Sequence, residues 1–127
     1  MDAINLHDFR IDRLDLDFAE STAKMSCTFE DGKTKKEVIF SDFLGAKLED
    51  VTAGSIIMDI ESWTISSFIE NQKSYLEKRL NYGWPTPAKD LTELEERLVN
   101  SSYKVWCIFA TLGITGFIIA KDMELAS

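Results

Sequence analysis

Histidine and cysteine are too scarce in this chain for most of the side-chain chemistry that enzymes use. His7 is the only histidine, and Cys27 and Cys107 are the only cysteines among 127 residues. A structural zinc site needs four such ligands at characteristic spacing, so we expect no metal site. Each cysteine lies in an alternating apolar pattern, which predicts two buried free thiols rather than a nucleophile activated by His7. A disulfide between them remains an alternative, because it requires only neighbouring strands and an oxidising compartment.

Motifs for phosphate binding and for serine hydrolases are also missing. The chain contains no G-x-x-x-x-G-K-[ST], no G-x-G-x-x-G and no G-x-S-x-G. The glycine-rich forms bind phosphates through backbone N–H groups, and the serine form exposes a nucleophile on a tight turn. We therefore expect no cofactor and a protein that is not an enzyme, with an enzyme of unfamiliar type as the alternative.

Basic residues are outnumbered by acidic ones, and the imbalance is concentrated in one half of the chain. The formal net charge is -8, and residues 1–60 hold 7 basic and 13 acidic side chains, against 7 and 9 in residues 61–127. A surface of this sign repels the phosphate backbone, so we expect no nucleic-acid partner. It suits a protein partner with a basic surface, although the charge also serves solubility.

No apolar run is long enough for a membrane helix. Residues 105–120 carry no charge, but they number 16 and are closed on both sides by Lys104 and Lys121. A membrane span needs about 17–20 apolar residues. The β-branched and aromatic halves of this run, with Gly113 and Gly116 between them, instead predict a hairpin covered on both faces. Residues 1–6 lack a basic, apolar signal, so the expected location is the cytoplasm, without a membrane partner.

The remaining pattern predicts a single α+β domain over residues 1–127. Strands precede helices instead of alternating with them, which favours a mainly antiparallel sheet. We expect an N-terminal meander of three to four strands and the C-terminal hairpin, packed against two helices. The predicted strands cover residues 9–18, 23–30, 34–40 and 55–60, and the predicted helices cover residues 62–82 and about 90–99.

Local signals refine this outline. The apolar alternation in the first strand changes phase, which predicts a one-residue bulge near Asp12. Ser62 is the expected N-cap of the long helix, whose apolar stripe is interrupted at Gln72. Asp90 and Glu93 resemble a capping box for the second helix. Residues 41–52 fit either a short helical turn or an irregular edge segment.

Two sets of residues are candidates for binding a protein. Asp12, Asp15 and Asp17 form an acidic cluster in the first strand, where Asp15 and Asp17 point the same way and are expected to lie opposite Lys24, Lys35 or Lys36. The common outcome for such a cluster is a solvated sheet face. Tyr82 and Trp84 lie in a proline-flanked loop, and aromatic side chains on rigid loops serve as binding anchors. Packing of Trp84 over the helix end is the more frequent alternative.

The chain resembles small bacterial immunity-type proteins, the single-domain cytoplasmic partners of polymorphic toxins. The resemblance is carried by Leu6-His7-Asp8, the acidic alternating strand and hairpin that follow, Val38-Ile39-Phe40-Ser41 and the apolar C-terminal run. It implies a protein that neutralises a cognate toxin by masking its active site, and it assigns no functional residue here.

Three functions therefore compete on the sequence. The first is a non-enzymatic binding protein, of the immunity type, that uses the acidic strand or the Trp84 loop. The second is a small-molecule-binding domain or unfamiliar enzyme, with a pocket between the sheet and the helix of residues 65–80. The third is a structural homo-oligomer, for example a homodimer, formed through an exposed sheet edge.

Overall fold

The computed structural model describes residues 6–127, which form eight β-strands and three α-helices. The strands are β1 (Arg10–Asp17), β2 (Thr22–Thr28), β3 (Lys35–Ser41), β4 (Gly45–Glu49), β5 (Ile56–Trp63), β6 (Lys104–Leu112), β7 (Thr115–Ala120) and β8 (Asp122–Ala126). The helices are α1 (Ile65–Asn71), α2 (Lys73–Leu80) and α3 (Leu91–Asn100). All recorded strand pairs are antiparallel, so the predicted α+β class with a mainly antiparallel sheet is confirmed.

The sheet folds back on itself at a corner made by β3, β4, β7 and β8. Its strand order is β4-β7-β6-β5-β1-β2-β3-β8, yet β4 follows β3 closely in the chain and β8 follows β7 directly. Backbone hydrogen bonds continue through the corner, from Lys121 N to Ser41 O at 3.0 Å and from Leu44 N to Ile119 O at 2.8 Å. β3 and β4 thus continue as one long bent strand, which pairs with a second one formed by β7 and β8. The two halves of the sheet enclose an apolar interior.

β1 and β5 join the halves at a second corner, where their pairing is short. The register consists of Arg10 opposite Ile56, supported by a bond from Ile11 N to Ser55 O at 2.8 Å. The β1–β2 register then shifts between Ile11 and Arg13, which confirms the bulge predicted near Asp12. Past the bulge, β1 remains paired with β2. The rest of its length therefore borders an opening in the sheet.

The hairpin of β6 and β7 separates two apolar clusters. Phe40, Trp106 and Ile118 belong to the cluster inside the folded sheet, whereas Phe68 and Phe117 belong to a second cluster beneath the helices. The turn contains Gly113 at positive φ, as the sequence predicted, whereas Gly116, predicted to be in the turn as well, has positive φ but lies within β7. Coverage of both faces is thus confirmed for residues 105–108 and 117–120, which lie between the sheet interior and the helices, whereas Thr111 and Leu112 beside the turn are exposed. Among residues 6–127, no helix is long and apolar enough to cross a membrane.

The predicted long helix over residues 62–82 is wrong in both its start and its continuity. Ser62 belongs to β5, where it lies opposite Trp106, so it is not the N-cap. Thr64 takes that role, because its side chain accepts a hydrogen bond from Ser67 N at 3.0 Å. Gln72, at φ -105° and ψ 20°, then separates α1 from α2 at the position where the apolar stripe is interrupted. The structure therefore has three helices where two were predicted.

Two strands were not predicted, and both lie at the folded corner. Residues 41–52 contain β4, which pairs with β7 through Gly45 opposite Ile119, so the alternative of a helical turn is wrong. Residues after Lys121 form β8, which pairs with β3. The predicted cap of α3 is confirmed, since Asp90 accepts a bond from Glu93 N at 2.9 Å. The Glu93 carboxylate accepts from Lys89 N at 3.2 Å instead of completing the reciprocal bond to Asp90.

Candidate functional site

Asp12 is engaged within the fold. The β1 bulge places its carboxylate beside the Thr28 hydroxyl, which donates a hydrogen bond to it, and beside the Arg10 guanidinium at 2.7 Å. The Thr28 hydrogen bond, followed by that of Arg10, lowers the pKa of Asp12, because both favour the charged form. Asp12 therefore anchors β1 to β2 and contributes less to a binding surface than its charge suggests.

Asp15 and Asp17 lie further along β1, on the stretch that borders the opening. Of the three predicted lysines, Lys24 lies opposite Asp15, whereas Lys35 and Lys36 belong to β3, which pairs with β2 and not with β1. The Asp15 carboxylate itself pairs with Arg13 at 2.9 Å. The Lys24 ammonium instead pairs with Glu37 at 3.5 Å. Asp17 accepts a hydrogen bond from Glu20 N at 3.0 Å, which stabilises the turn that follows. These partners are solvent-exposed, so the carboxylates remain accessible to a second molecule.

The predicted pair Tyr82 and Trp84 is divided by the structure. Tyr82 is 79% exposed, with the Arg79 guanidinium 5.3 Å from its ring. Trp84 packs inward in an edge-on contact with Tyr75, with ring centroids 5.8 Å apart. A Cβ built on Gly45 would lie 3.4 Å from the Trp84 indole, so the ring covers β4 closely. Trp84 is thus a packing residue over the end of α2, and part of it remains on the surface.

The sequence missed an apolar surface at the opening between β1 and β4. Leu16 and Phe18, at the end of β1, are 40% and 74% exposed, and Val51, which follows β4, is 64% exposed. Phe18 stacks on Phe43 with ring centroids 6.3 Å apart. A cavity of about 490 Å³ lies here, and Trp84 forms part of its lining. We call this surface the β1–β4 face and define it by Leu16, Phe18, Phe43, Leu48 and Val51.

The β1–β4 face also connects the two predicted binding sets. A shallow groove of about 630 Å³ runs along the outer side of β1 and is lined by Asp15, Asp17 and Lys24. Leu16 and Phe18 line both this groove and the cavity bordered by Trp84. Two carboxylates and one indole therefore flank a continuous apolar strip. The alternation of Leu14, Leu16 and Phe18 in the sequence indicated a buried strand face, so the exposure of Leu16 and Phe18 was not predicted.

Both cysteines are buried and free, as predicted, and they lie on different elements of the core. Cys27 belongs to the interior cluster and Cys107 to the cluster beneath the helices. Burial, with a smaller contribution from nearby carboxylates, raises the pKa of each thiol to about 12. His7 is exposed, and its Nδ1 lies 3.0 Å from Met58 O, which fixes the approach to β1. These environments disfavour a thiolate nucleophile.

Few other groups in the part of the chain that the structure describes are arranged to bind a metal ion or a small molecule. Residues 6–127 contain no group of three or more His, Cys, Asp or Glu side chains placed to hold a metal ion. A cleft of about 200 Å³ lies where the sequence placed an alternative ligand pocket, between the sheet and the junction of α1 and α2. It is lined by Trp63, Gln72 and Phe117, among others. Ligand binding there stays a prediction.

Comparison with known proteins adds no family to this description. Protein-family models, curated proteins and solved structures were searched with this chain, and no match was found in any of the three.

Proposed function

We propose that this chain is a non-enzymatic binding protein that docks onto a protein partner through the β1–β4 face. The observation that carries the proposal is the exposed aromatic side chain of Phe18 beside the carboxylates of Asp15 and Asp17. An aromatic anchor within an apolar strip, with charged groups at its rim, is the usual composition of a protein-binding surface. Leu16 and Val51 are exposed around the same cavity, so the apolar exposure is a patch and not a single residue.

The edge of β1 supports the same proposal. Residues of β1 beyond the bulge pair with β2 on one side, while the register with β5 is recorded at Arg10. An unpaired strand edge offers backbone N–H and C=O groups to an incoming strand of a partner. Leu16 and Phe18 would then contact that strand's side chains.

The negative charge of the N-terminal half indicates what kind of surface the partner has. The N-terminal half carries 13 acidic and 7 basic side chains, and Asp15, Asp17 and Glu20 are near the face. Such a potential accelerates association with a basic surface and weakens with salt. We therefore propose a partner whose active or contact surface is basic, which agrees with the resemblance to immunity-type inhibitors. In that role the chain would neutralise a toxin by covering the surface that the toxin needs.

Co-expression with proteins encoded beside this chain's gene tests the proposal. The wild-type chain should co-purify with one of them and protect cells from its toxicity. A Leu16→Glu/Phe18→Glu variant should lose both effects, because charge in the apolar strip opposes docking. Val99→Glu is the matched control, since Val99 is 54% exposed on α3, outside the face.

Three results discriminate the alternatives. Undiminished capture and protection by the double variant would show that the partner binds elsewhere. Capture without protection would support a binding protein of another kind. A dimer in sizing chromatography that the double variant converts to a monomer would show that the face binds a second copy of the chain.

A further inference from the structure

A second open strand edge lies at β8, apart from the β1–β4 face. β8 stands at the end of the strand order, and its recorded partner among residues 6–127 is β3. Alternate residues of such a strand turn their backbone N–H and C=O groups away from the ladder. Over the five residues of β8, these groups can therefore pair with a further strand.

A cavity adjoins the open edge of β8. It occupies about 410 Å³, and its lining includes Asp122 and Met123 from β8, Ser62 from the end of β5 and Lys104 from the start of β6. Met123 lies opposite Phe40 in β3 and packs against the interior cluster. A strand added to β8 would thus have room beside Met123 for an apolar side chain of its own.

The two faces of β8 differ in chemistry. Successive side chains of a strand alternate between its faces. Leu125 lies opposite the buried Val38, so it shares the interior face with Met123, yet it is 42% exposed. Asp122 and Glu124 alternate with these residues, and both are exposed. The open edge therefore presents apolar groups on one face and carboxylates on the other.

The carboxylates of Asp122 and Glu124 determine which strand fits this edge. Neither forms an ion pair with another of residues 6–127. In an antiparallel pair of two β8 strands centred on Glu124, this residue would face its own copy, and like charges directly opposite each other are destabilising. Basic side chains at the same positions are favourable. The edge is therefore suited to a basic strand and not to a second copy of the chain.

We propose that β8 pairs with an extended segment of a partner protein in which basic and apolar residues alternate. The backbone of that segment continues the sheet beyond β8. Its basic side chains lie beside Asp122 and Glu124, and its apolar side chains lie beside Met123 and Leu125. Lys104 also lines the cavity and disfavours a basic side chain there. The surface shares no residue with the β1–β4 face, so either proposal can fail alone.

Synthetic peptides test the proposal on the full chain by NMR of the backbone amides. The probe is a capped peptide of about six alternating lysine and valine residues, matched to the five residues of β8. It should shift the β8 amide signals saturably and slow their hydrogen exchange, because pairing shields these amides from water. A glutamate–valine peptide of the same length should bind at least about tenfold more weakly. The lysine–valine peptide with methylated backbone nitrogens should not bind, because it cannot donate hydrogen bonds to β8.

Charge reversal assigns the effect to β8. Asp122→Lys/Glu124→Lys should reverse the preference, so that the glutamate–valine peptide binds more tightly than the lysine–valine peptide. Glu77→Lys/Glu96→Lys is the matched control, since it makes the same change of charge at exposed positions of α2 and α3. This control should keep the preference of the wild type.

The Leu16→Glu/Phe18→Glu variant separates this surface from the β1–β4 face, because it should bind the lysine–valine peptide at least as tightly as the wild type does. The proposal is overturned if the two charged peptides bind the wild type equally, if the methylated peptide binds as well as its parent, or if the shifts appear at β1 instead of β8. A wild-type dimer that Asp122→Lys/Glu124→Lys disrupts would also overturn it, because β8 would then pair with a second copy.

Discussion

Gly116 shows how a single backbone position controls the contact between β4 and β7. Its φ is +148°, and Leu48 on β4 lies opposite it. A Cβ built on Gly116 would collide with the carbonyl oxygen of Lys47 and lie 2.9 Å from its carbonyl carbon. Glycine is therefore needed both for its conformation and for the close approach of two backbones.

Gly116→Ala should lower the free energy of unfolding by about 3 kcal/mol or more, because backbone strain adds to the steric collision. Urea denaturation measures the loss. Gly32→Ala is the control, since Gly32 has a φ of +71° and open space around its Cβ position. That variant should lose about 1–2 kcal/mol. Equal losses in the two variants would contradict the predicted collision.

Asp12 links stability to pH at the same residue scale. The Thr28 and Arg10 hydrogen bonds lower its pKa in the folded state. A group with a depressed folded pKa stabilises the fold above its unfolded pKa of about 3.9, and this contribution is lost as the pH falls through the folded pKa. Acidification should therefore remove the stabilisation that Asp12 provides.

Asp12→Ala should be less stable than the wild type at pH 6, and the difference should shrink towards pH 2. Urea midpoints measured across this range provide the test. Thr28→Val removes the leading donor and should weaken the same pH dependence. A gap between wild type and Asp12→Ala that stays constant from pH 6 to pH 2 would contradict the mechanism.

At the scale of elements, the start of α1 shows a competition between strand and helix. The sequence placed the helix start at Ser62, whereas β5 continues through Trp63 because both residues pair with β6. Sheet pairing thus overrides a local capping signal. The N-cap moves two residues along the chain, to Thr64.

Thr64→Ala should cost about 1 kcal/mol in stability, because the Ser67 N–H loses its side-chain acceptor. Ser62→Ala is the matched control and should cost less, since Ser62 caps no helix. Thermal unfolding of the two variants, followed by circular dichroism, makes the comparison. A larger loss in Ser62→Ala would restore the N-cap assignment made from the sequence.

At the scale of the whole molecule, residues 6–127 form two apolar clusters that share the β6–β7 hairpin. Phe40 lies in the interior cluster and Phe68 in the helix-side cluster, and both are fully buried. Neighbouring residues of β6 contribute to opposite clusters, as Trp106 and Cys107 show. Loss of packing on one side therefore weakens the strands that support the other side.

Phe40→Ala and Phe68→Ala should each lower the free energy of unfolding by about 3–5 kcal/mol. Each variant should still unfold in a single transition, with tryptophan fluorescence and far-ultraviolet circular dichroism giving the same midpoint. Separate midpoints in either variant would show that the clusters unfold independently.

The sequence by itself determined the local features of this protein. Alternation, the uncharged run of residues 105–120 and the signals at Asp12 and Asp90 predicted the α+β class, the covered hairpin, the bulge and one helix cap. These succeed because each depends on residues close together in the chain. The scarcity of histidine and cysteine likewise limits the side-chain chemistry, because composition is independent of how the chain folds.

Only the tertiary structure decided where distant strands meet. The pairing of β3 with β8 and of β4 with β7 folds the sheet, yet neither β4 nor β8 carries a strong local pattern. The same folding leaves Leu16 and Phe18 exposed at one opening and buries Trp106 against Phe40 in the interior of the sheet. Such features depend on non-local pairing, whose energy no short stretch of sequence expresses.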